Sequence, residues 1–454
     1  MKPTCIVHGN CHAIHIYDML RKFKGLTQEY TLCAFRRGEN TFHCAEPLSD
    51  AEALANCAIF LRQKSFWDDP FPHEEQLPAS CRVIAYPMLS GELLWPFFMG
   101  HPLPLPYGVE SNRRRFHCDR LLHRLQKQHP SPREALQAYL TTDIHTLVDL
   151  DRSCEAYFDK IRTLDRECDV AVADLIEARF RHRHLFFDTS HPTEHFLFEI
   201  ACLALQAAGL SFAFRSDDPP TTDLSITVPI HPQVIDHYGL TFVNHSARYG
   251  FHRPEPFTTN LFANGHETKD GDFTFIGSLR RHLGLPDITR FEGEGNLQDH
   301  LAALQAQRDF ADSLQALPAF QGCLDTFRAE VLTALADSHF AAGEKELAAA
   351  HHTAALAADA GFYPLLLSRL HFHQQTGHPE QAMEALFAFA DSPGFCTLSL
   401  QEWLFLARVA ANLYDALMRD LLAGNKLQQA KACHDGFSRL FPRLGLGATK
   451  ENPS

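Results

Sequence analysis

No run of about eighteen consecutive apolar residues occurs in the sequence, so no membrane-spanning helix is expected. The opening MKPTCIVHGNCH breaks its apolar run at His8 and Gly9 and lacks the apolar core of a secretory signal. An excess of positive charge is missing too. The net charge of −14 argues against a general nucleic-acid binder, which needs clustered Lys and Arg to neutralise phosphates. The thirteen cysteines include no CxxC pair and are irregularly spaced, which argues against a disulfide framework and for reduced thiols in the cytoplasm. No zinc-ligand spacing occurs, although His8, Cys11, His12 and His15 crowd together and His182, His184, His191 and His195 form a second group. With 28 histidines in the chain such crowding is ordinary, and no metal is expected.

What is present is a globular composition, 45% apolar and 21% charged, in a chain of 454 residues that is too long for one core. Cys5-Ile6-Val7 reads as a strand, Gly9-Asn10 as a turn, and Ile16, Met19, Leu20 and Phe23 recur at helical spacing. Further apolar runs at Ala58–Leu61, Val83–Ala85 and Leu185–Phe187 read as buried strands. Residues 96–108, rich in proline, read as a loop, and 111–180 as mostly helix. A helix is expected from Glu194 to Ala208 with Gly209 as its stop. This alternation points to an α/β fold with a parallel sheet covered on both faces.

After about residue 300 alanine and leucine dominate and only long helices fit. Gly343 and Gly377 are 34 residues apart, Ala348 and Ala382 repeat the offset, and Gly424 with Ala430 make a looser third copy. That is the tetratricopeptide period, although Phe340 and Phe372, 32 residues apart, fall out of register. The expected division is a catalytic domain over 1–290 and an all-α helical-repeat domain over 300–445.

Two motifs carry chemistry. Cys11 follows a strand and opens a helix, where helix-terminal N–H groups favour a thiolate and can receive a developing oxyanion. Taken alone, it reads sooner as a small buried apolar side chain than as a nucleophile. Asp188-x-x-His191-Pro192 also follows a strand and precedes a helix. A carboxylate three residues before an imidazole can fold back and orient it as a general base. Parallel sheets gather such groups at the C-terminal edge of their strands.

Gly9-Asn10-Cys11 resembles the first signature block of SGNH-type hydrolases, with Cys in place of Ser, and Asp188-x-x-His191-Pro192 resembles their last block. Together they look like the WcbI-type polysaccharide biosynthesis acetyltransferases, which open with strand–GNC–helix and carry a later His-Pro-Thr after a Leu-Phe strand. Here those residues are Leu185-Phe186 and His191-Pro192-Thr193. Val228-Pro229-Ile230-His231-Pro232 is similar to a further family segment. The resemblance covers roughly residues 1–285. In one departure, His12 stands where family members often have Gln.

The resemblance implies an SGNH-like α/β fold, binding of coenzyme A and transfer of an acetyl group from acetyl-CoA to a sugar or polysaccharide hydroxyl, as in capsule synthesis. Cys11 would be the nucleophile, His191 the base and Asp188 its orienting group, with Gly9, Asn10 and the Cys11 N–H forming the oxyanion turn. Arg36, Arg37, Lys64, Arg113, Arg114 and Arg115 are candidates for the coenzyme A phosphates, and Gln63 and Gly91 for oxyanion or ligand contacts. Two other readings stay open. One is an SGNH-like esterase, since the same triad cleaves esters when water reaches it. The other is a non-catalytic coenzyme A-binding scaffold whose repeat tail holds a protein partner.

Overall fold

The computed structural model describes residues 2–21, 23–38, 41–65, 71–98, 119–210, 225–226, 228–244, 247, 249, 251–252, 274–286, 288, 296–392, 394–395, 400–424 and 426–443. The chain packs as two units. The first comprises Met1–Arg120, Asp143–Phe242 and Gly250–Asp272, and the second Leu121–Thr142, Val243–Tyr249 and Phe273–Ser454.

The first unit is built on a five-stranded sheet. Strand β1 (Thr4–Gly9) leads through α1 (Cys11–Leu20) and α2 (Lys24–Glu29) to β2 (Thr31–Arg36). Strand β3 (His43–Cys44), α3 (Asp50–Ala55), β4 (Cys57–Lys64) and β5 (Arg82–Pro87) follow. The order is β3-β2-β1-β4-β5, with β1, β2, β4 and β5 parallel and β3 an antiparallel edge. Every residue of β1 is buried, as expected of a central strand covered on both faces. On one face Ile6, Phe35 and Phe60 pack with Ala53 and Leu54 of α3 and with Phe71. Burying each such phenylalanine contributes about 1.5–3 kcal/mol. Helix α1 packs on β1 and β2 and against α8 (Glu194–Ala207).

The chain leaves β1 to form β2 on one side and returns to form β4 on the other. The ends of β1 and β4 therefore flank the reversal point where α/β sheets bind ligands. Register sets Gly9 beside Arg36 and Gln63 beside Tyr86, so these residues share the C-terminal edge.

One strand is unanticipated and two expectations need correction. Strand β2 is not anticipated, because TLCAFR offers a short apolar stretch flanked by polar residues; its burial comes from lying beside β1. Leu185–Phe187 does not join the sheet. Phe186 bridges Pro192, the Phe187 N–H donates to His191 O (2.8 Å) and the Thr193 N–H to Leu185 O (2.8 Å), so the segment pairs with its own continuation. Cys33 and Cys44 face each other across β2 and β3 and are disulfide-bonded, so the expectation of reduced thiols does not hold for this pair. Part of the proline-rich loop, residues 99–108, lies outside the described residues.

The helical unit takes in α4 (Arg120–Gln128) from Leu121 onward and α5 (Pro132–Leu140), together with α10 (Phe275–His282) and α11 (Leu297–Ser313). Beyond them α12 (Pro318–Ala341) packs with α13 (Lys345–Ala358), and α14 (Tyr363–Thr376) with α15 (Pro379–Ala390). Helix α16 (Leu400–Ala423) packs with α17 (Leu427–Arg443). The 34-residue offset marks a repeated helix stop. Gly343 (φ 79°) and Gly377 (φ 80°) follow α12 and α14 in the left-handed conformation that a side chain resists. Ala348 and Ala382 are fully buried in α13 and α15, and Phe340 meets Phe372 edge-on at 5.2 Å despite their uneven spacing. Among the described residues no helix is long and apolar enough to cross a membrane. The remaining elements of the first unit are α6 (Leu150–Asp165), α7 (Ala173–Arg179), α9 (Pro232–Tyr238) and the short antiparallel pair β6 (Ser225–Ile226) and β7 (Phe251–His252).

Candidate active site

The turn after β1 is tight for a physical reason. A Cβ on Gly9 would lie 2.6 Å from Gln63 Oε1 and 2.8 Å from Gln63 Cβ, so only glycine lets β1 end against β4. Asn10 then caps α1, its side chain accepting from the His12 N–H at 2.9 Å. Cys11 is the first residue of α1 and half-buried, so its side chain lies at the helix N-terminus above the sheet edge.

The second motif is a self-bonded turn. Asp188 Oδ1 accepts from the backbone N–H of Ser190 (2.6 Å) and of His191 (2.8 Å). Both Asp188 oxygens also lie within reach of His191 Nδ1, at 2.9 and 2.8 Å. That contact commits Nδ1 to the carboxylate and leaves Nε2 on the far side of the ring, and Cys11 lies near enough to act on His191. Burial disfavours the charged ring. The hydrogen bonds and charges of Asp188 and Cys11 outweigh it and push His191 up to about 10.

Gly91 holds the same turn from the end of β5. Its N–H donates to Thr189 O (2.9 Å), and a Cβ there would meet Phe186 at 2.7 Å and Asp188 O at 2.8 Å. The Val228–Pro232 segment supports it from another side. The Val228 N–H donates to Phe187 O (2.9 Å), and Trp95 Nε1 donates to Val228 O (3.3 Å) and Pro229 O (3.1 Å). His231, capping α9, accepts from the Gln233 N–H at 3.2 Å.

Three of the six basic candidates stand on the edge that carries Cys11. Arg36 ends β2, and the Arg37 N–H donates to Gly9 O at 2.7 Å while its guanidinium reaches Ser65 Oγ at 3.1 Å. Lys64 ends β4, 3.9 Å from Glu167. Arg113, Arg114 and Arg115 lie outside the described residues.

Three further residues, to which neither motif assigns a part, join the site. His15 follows Cys11 by one helical turn; burial, His191 and Arg36 bring it down to about 4. The i, i+4 relation to Cys11 is the signal that could have found it. His12 is buried, donates from Nε2 to Ser190 O (2.7 Å) and is held low by burial. Tyr86 donates to His8 O (3.1 Å), and burial pushes its phenol up while the Arg37 and Cys11 charges reach it. Among the described residues no group of three or more His, Cys, Asp or Glu side chains is placed to hold a metal ion.

Residues 4–213 match the family model described as the polysaccharide biosynthesis enzyme WcbI, which bears out the resemblance carried by Gly9-Asn10-Cys11 and His191-Pro192-Thr193. No curated protein matches the chain. A solved structure of a WcbI protein covers 78% of this chain and 99% of its own, at 15% identity and a TM-score of 0.36. It is described as a novel polysaccharide biosynthesis enzyme, in a native form without a disulfide bond between coenzyme A and one of its cysteines.

Proposed function

From the match of residues 4–213 to a polysaccharide biosynthesis enzyme, we propose that the chain transfers an acetyl group from acetyl-CoA to a hydroxyl of a sugar or polysaccharide. The observation that supports this reading is the Asp188–His191 hydrogen bond, with Cys11 at the N-terminus of α1 near enough to act on the same ring. His191, pushed up to about 10, holds a proton through neutral pH, as the proton-carrying partner of a nucleophilic sulfur must.

Cys11 sulfur attacks the thioester carbonyl, and the backbone N–H of Cys11 at the helix start faces the oxyanion that forms. The bond to the coenzyme A sulfur breaks as His191 delivers its proton to that sulfur. The ring, now neutral, takes the proton of the acceptor hydroxyl, whose oxygen attacks the acetyl-cysteine. The bond to Cys11 breaks, and the sulfur and the protonated ring are regenerated. Asp188 stays ionised throughout and holds the ring in one orientation. Arg36, Arg37 and Lys64 would meet the coenzyme A phosphates, since guanidinium forks match phosphate geometry. The helix pairs of the second unit supply a face for a protein partner, with the 34-residue offset as the support for a tetratricopeptide-like tail.

The test is mass spectrometry of the intact protein after brief exposure to acetyl-CoA without acceptor. An acetyl group on the Cys11 peptide, absent from Cys11→Ala, is the expected result. Acetyl transfer to a sugar acceptor at an undiminished rate in Cys11→Ala would overturn the covalent route. Release of free acetate with every acceptor tried would favour an esterase, and inertness toward esters and thioesters alike a binding scaffold.

A further inference from the structure

Three hydrogen bonds run in series across the crevice between β1 and β4. The Asn10 N–H donates to Gln63 Oε1 at 2.9 Å, Gln63 Nε2 donates to His12 Nδ1 at 3.2 Å, and His12 Nε2 donates to Ser190 O at 2.7 Å. Each role is forced by the next. The Ser190 carbonyl can only accept, so the His12 proton is on Nε2. Nδ1 then offers only a lone pair, which requires the amide nitrogen of Gln63 there and leaves Oε1 for Asn10. His12 and Gln63 are each 1% exposed, so no water completes these bonds in their place.

The two ends of the series are the neighbours of the two reacting groups. Asn10 precedes Cys11, and Ser190 precedes His191. We propose that His12 is a positioning residue, a neutral strut that sets the gap between the Cys11 thiol and the His191 ring by holding the Ser190 carbonyl at a set distance from the β1 turn. The inference rests on the Cys11–His191 pairing of the acyl-transfer reading.

Neutrality is part of the device. A proton on Nδ1 would point at the Gln63 amide N–H with nothing to accept it, and burial pulls His12 down to about 3, so the strut survives the whole neutral range. Other charged groups stand near. His191 is faced by Asp188 from its own turn and by Cys11, His12 and His15 from α1, with Arg36 beside His15. The strut is also local. The turn keeps independent tethers in Gly91 N–H to Thr189 O (2.9 Å) and Thr193 N–H to Leu185 O (2.8 Å), so losing His12 moves the turn without unfolding it.

The test needs no substrate. The full-length chain is alkylated with iodoacetamide over a range of pH, the rate is read on the Cys11 peptide by mass spectrometry, and thermal unfolding is recorded alongside. His191→Ala is expected to slow Cys11 alkylation at mildly acid pH. His12→Leu, which leaves the Ser190 carbonyl and the Gln63 amide unpaired, is expected to slow it on the order of tenfold at about pH 6. His12→Gln, whose amide offers one donor and one acceptor, is expected to recover most of the rate. A folded His12→Leu protein with the wild-type profile overturns the strut. Should His12→Leu not fold, Gln63→Met removes the far end of the series, and an unchanged profile there overturns it equally. No effect of His191→Ala overturns the Cys–His pair and the strut with it. Intact alkylation behaviour without any thioester turnover overturns only the acyl-transfer reading.

Discussion

His191 in the sheet-bearing unit and His352 in the helical unit each sit in a short polar series that ends on an aspartate. In the first, Asp188 touches the ring directly and Cys11 adds a second partner, so burial is outweighed and His191 rises to about 10. In the second, Ser368 stands between: it donates to Asp337 Oδ1 and takes His352 Nε2 at 2.7 Å. Burial then dominates, Arg369, His373 and His351 add to it, and His352 falls to about 3. A carboxylate in contact supplies charge as well as a hydrogen bond, whereas an interposed hydroxyl supplies only the hydrogen bond. The first arrangement holds a proton available for transfer. The second is a neutral peg joining α12, α13 and α14.

The largest expected effect separates the two by activity. Cys11→Ala should lower acetyl transfer by about a thousandfold or more, whereas His352→Gln should leave it near wild type. Steady-state rates with acetyl-CoA and a sugar acceptor decide this, and a comparable loss in both variants would erase the distinction.

Next comes Gly91→Ala. Its methyl group would collide with Phe186 and the Asp188 carbonyl, displacing the turn that carries His191, and a shift of that kind costs about a hundredfold in kcat. Gly343→Ala, far along the chain in the helical unit, should leave kcat unchanged.

The pH dependence of stability sharpens the contrast further, because the two signs are opposite. His191 is raised above its ordinary value near 6.5, so the folded state binds the extra proton; its contribution is full below 6.5 and fades as pH rises toward about 10. His352 is depressed, so the unfolded state binds the extra proton; its contribution is present above 6.5 and fades as pH falls toward about 3. Melting temperature against pH should therefore flatten on the alkaline side in His191→Gln and on the acid side in His352→Gln. Flattening on the same side in both variants would contradict the assignment.

The smallest effect is conformational. Gly377→Ala places a side chain at φ 80° and should destabilise the helical unit by about 1–2 kcal/mol, read from denaturant unfolding. Thr193→Ala, which removes the N-cap of α8, should cost about 1 kcal/mol in the first unit.

Much of the candidate site was legible because its two halves are local motifs. Strand, Gly-Asn turn and Cys-led helix announce themselves within a dozen residues, and Asp188-x-x-His191 folds back on itself without help. The hydrogen bonds of His12 were not legible. A histidine after Cys11 says nothing of a carbonyl 178 positions away, and its tautomer depends on Gln63 arriving from β4. Strand β2 was missed for the related reason that its burial is conferred by β1, not by its own composition. Leu185–Phe187 reads as a strand from its apolar run, yet Asp188 turns the chain so sharply that its partner is Pro192.

By itself the sequence determined the elements whose stability is written in neighbouring residues. These are the β1 turn and its helix, the long α8 with its Gly209 stop, and the helix pairs ended by Gly343 and Gly377. Apolar period, caps and glycine stops act over a few residues and need no distant partner. Only the tertiary structure decided which strand lies beside β1, which turn faces Cys11 and which way the proton sits on His12. Those outcomes depend on strand order and on hydrogen bonds between residues far apart in the chain, and no local pattern encodes a partner that only folding supplies.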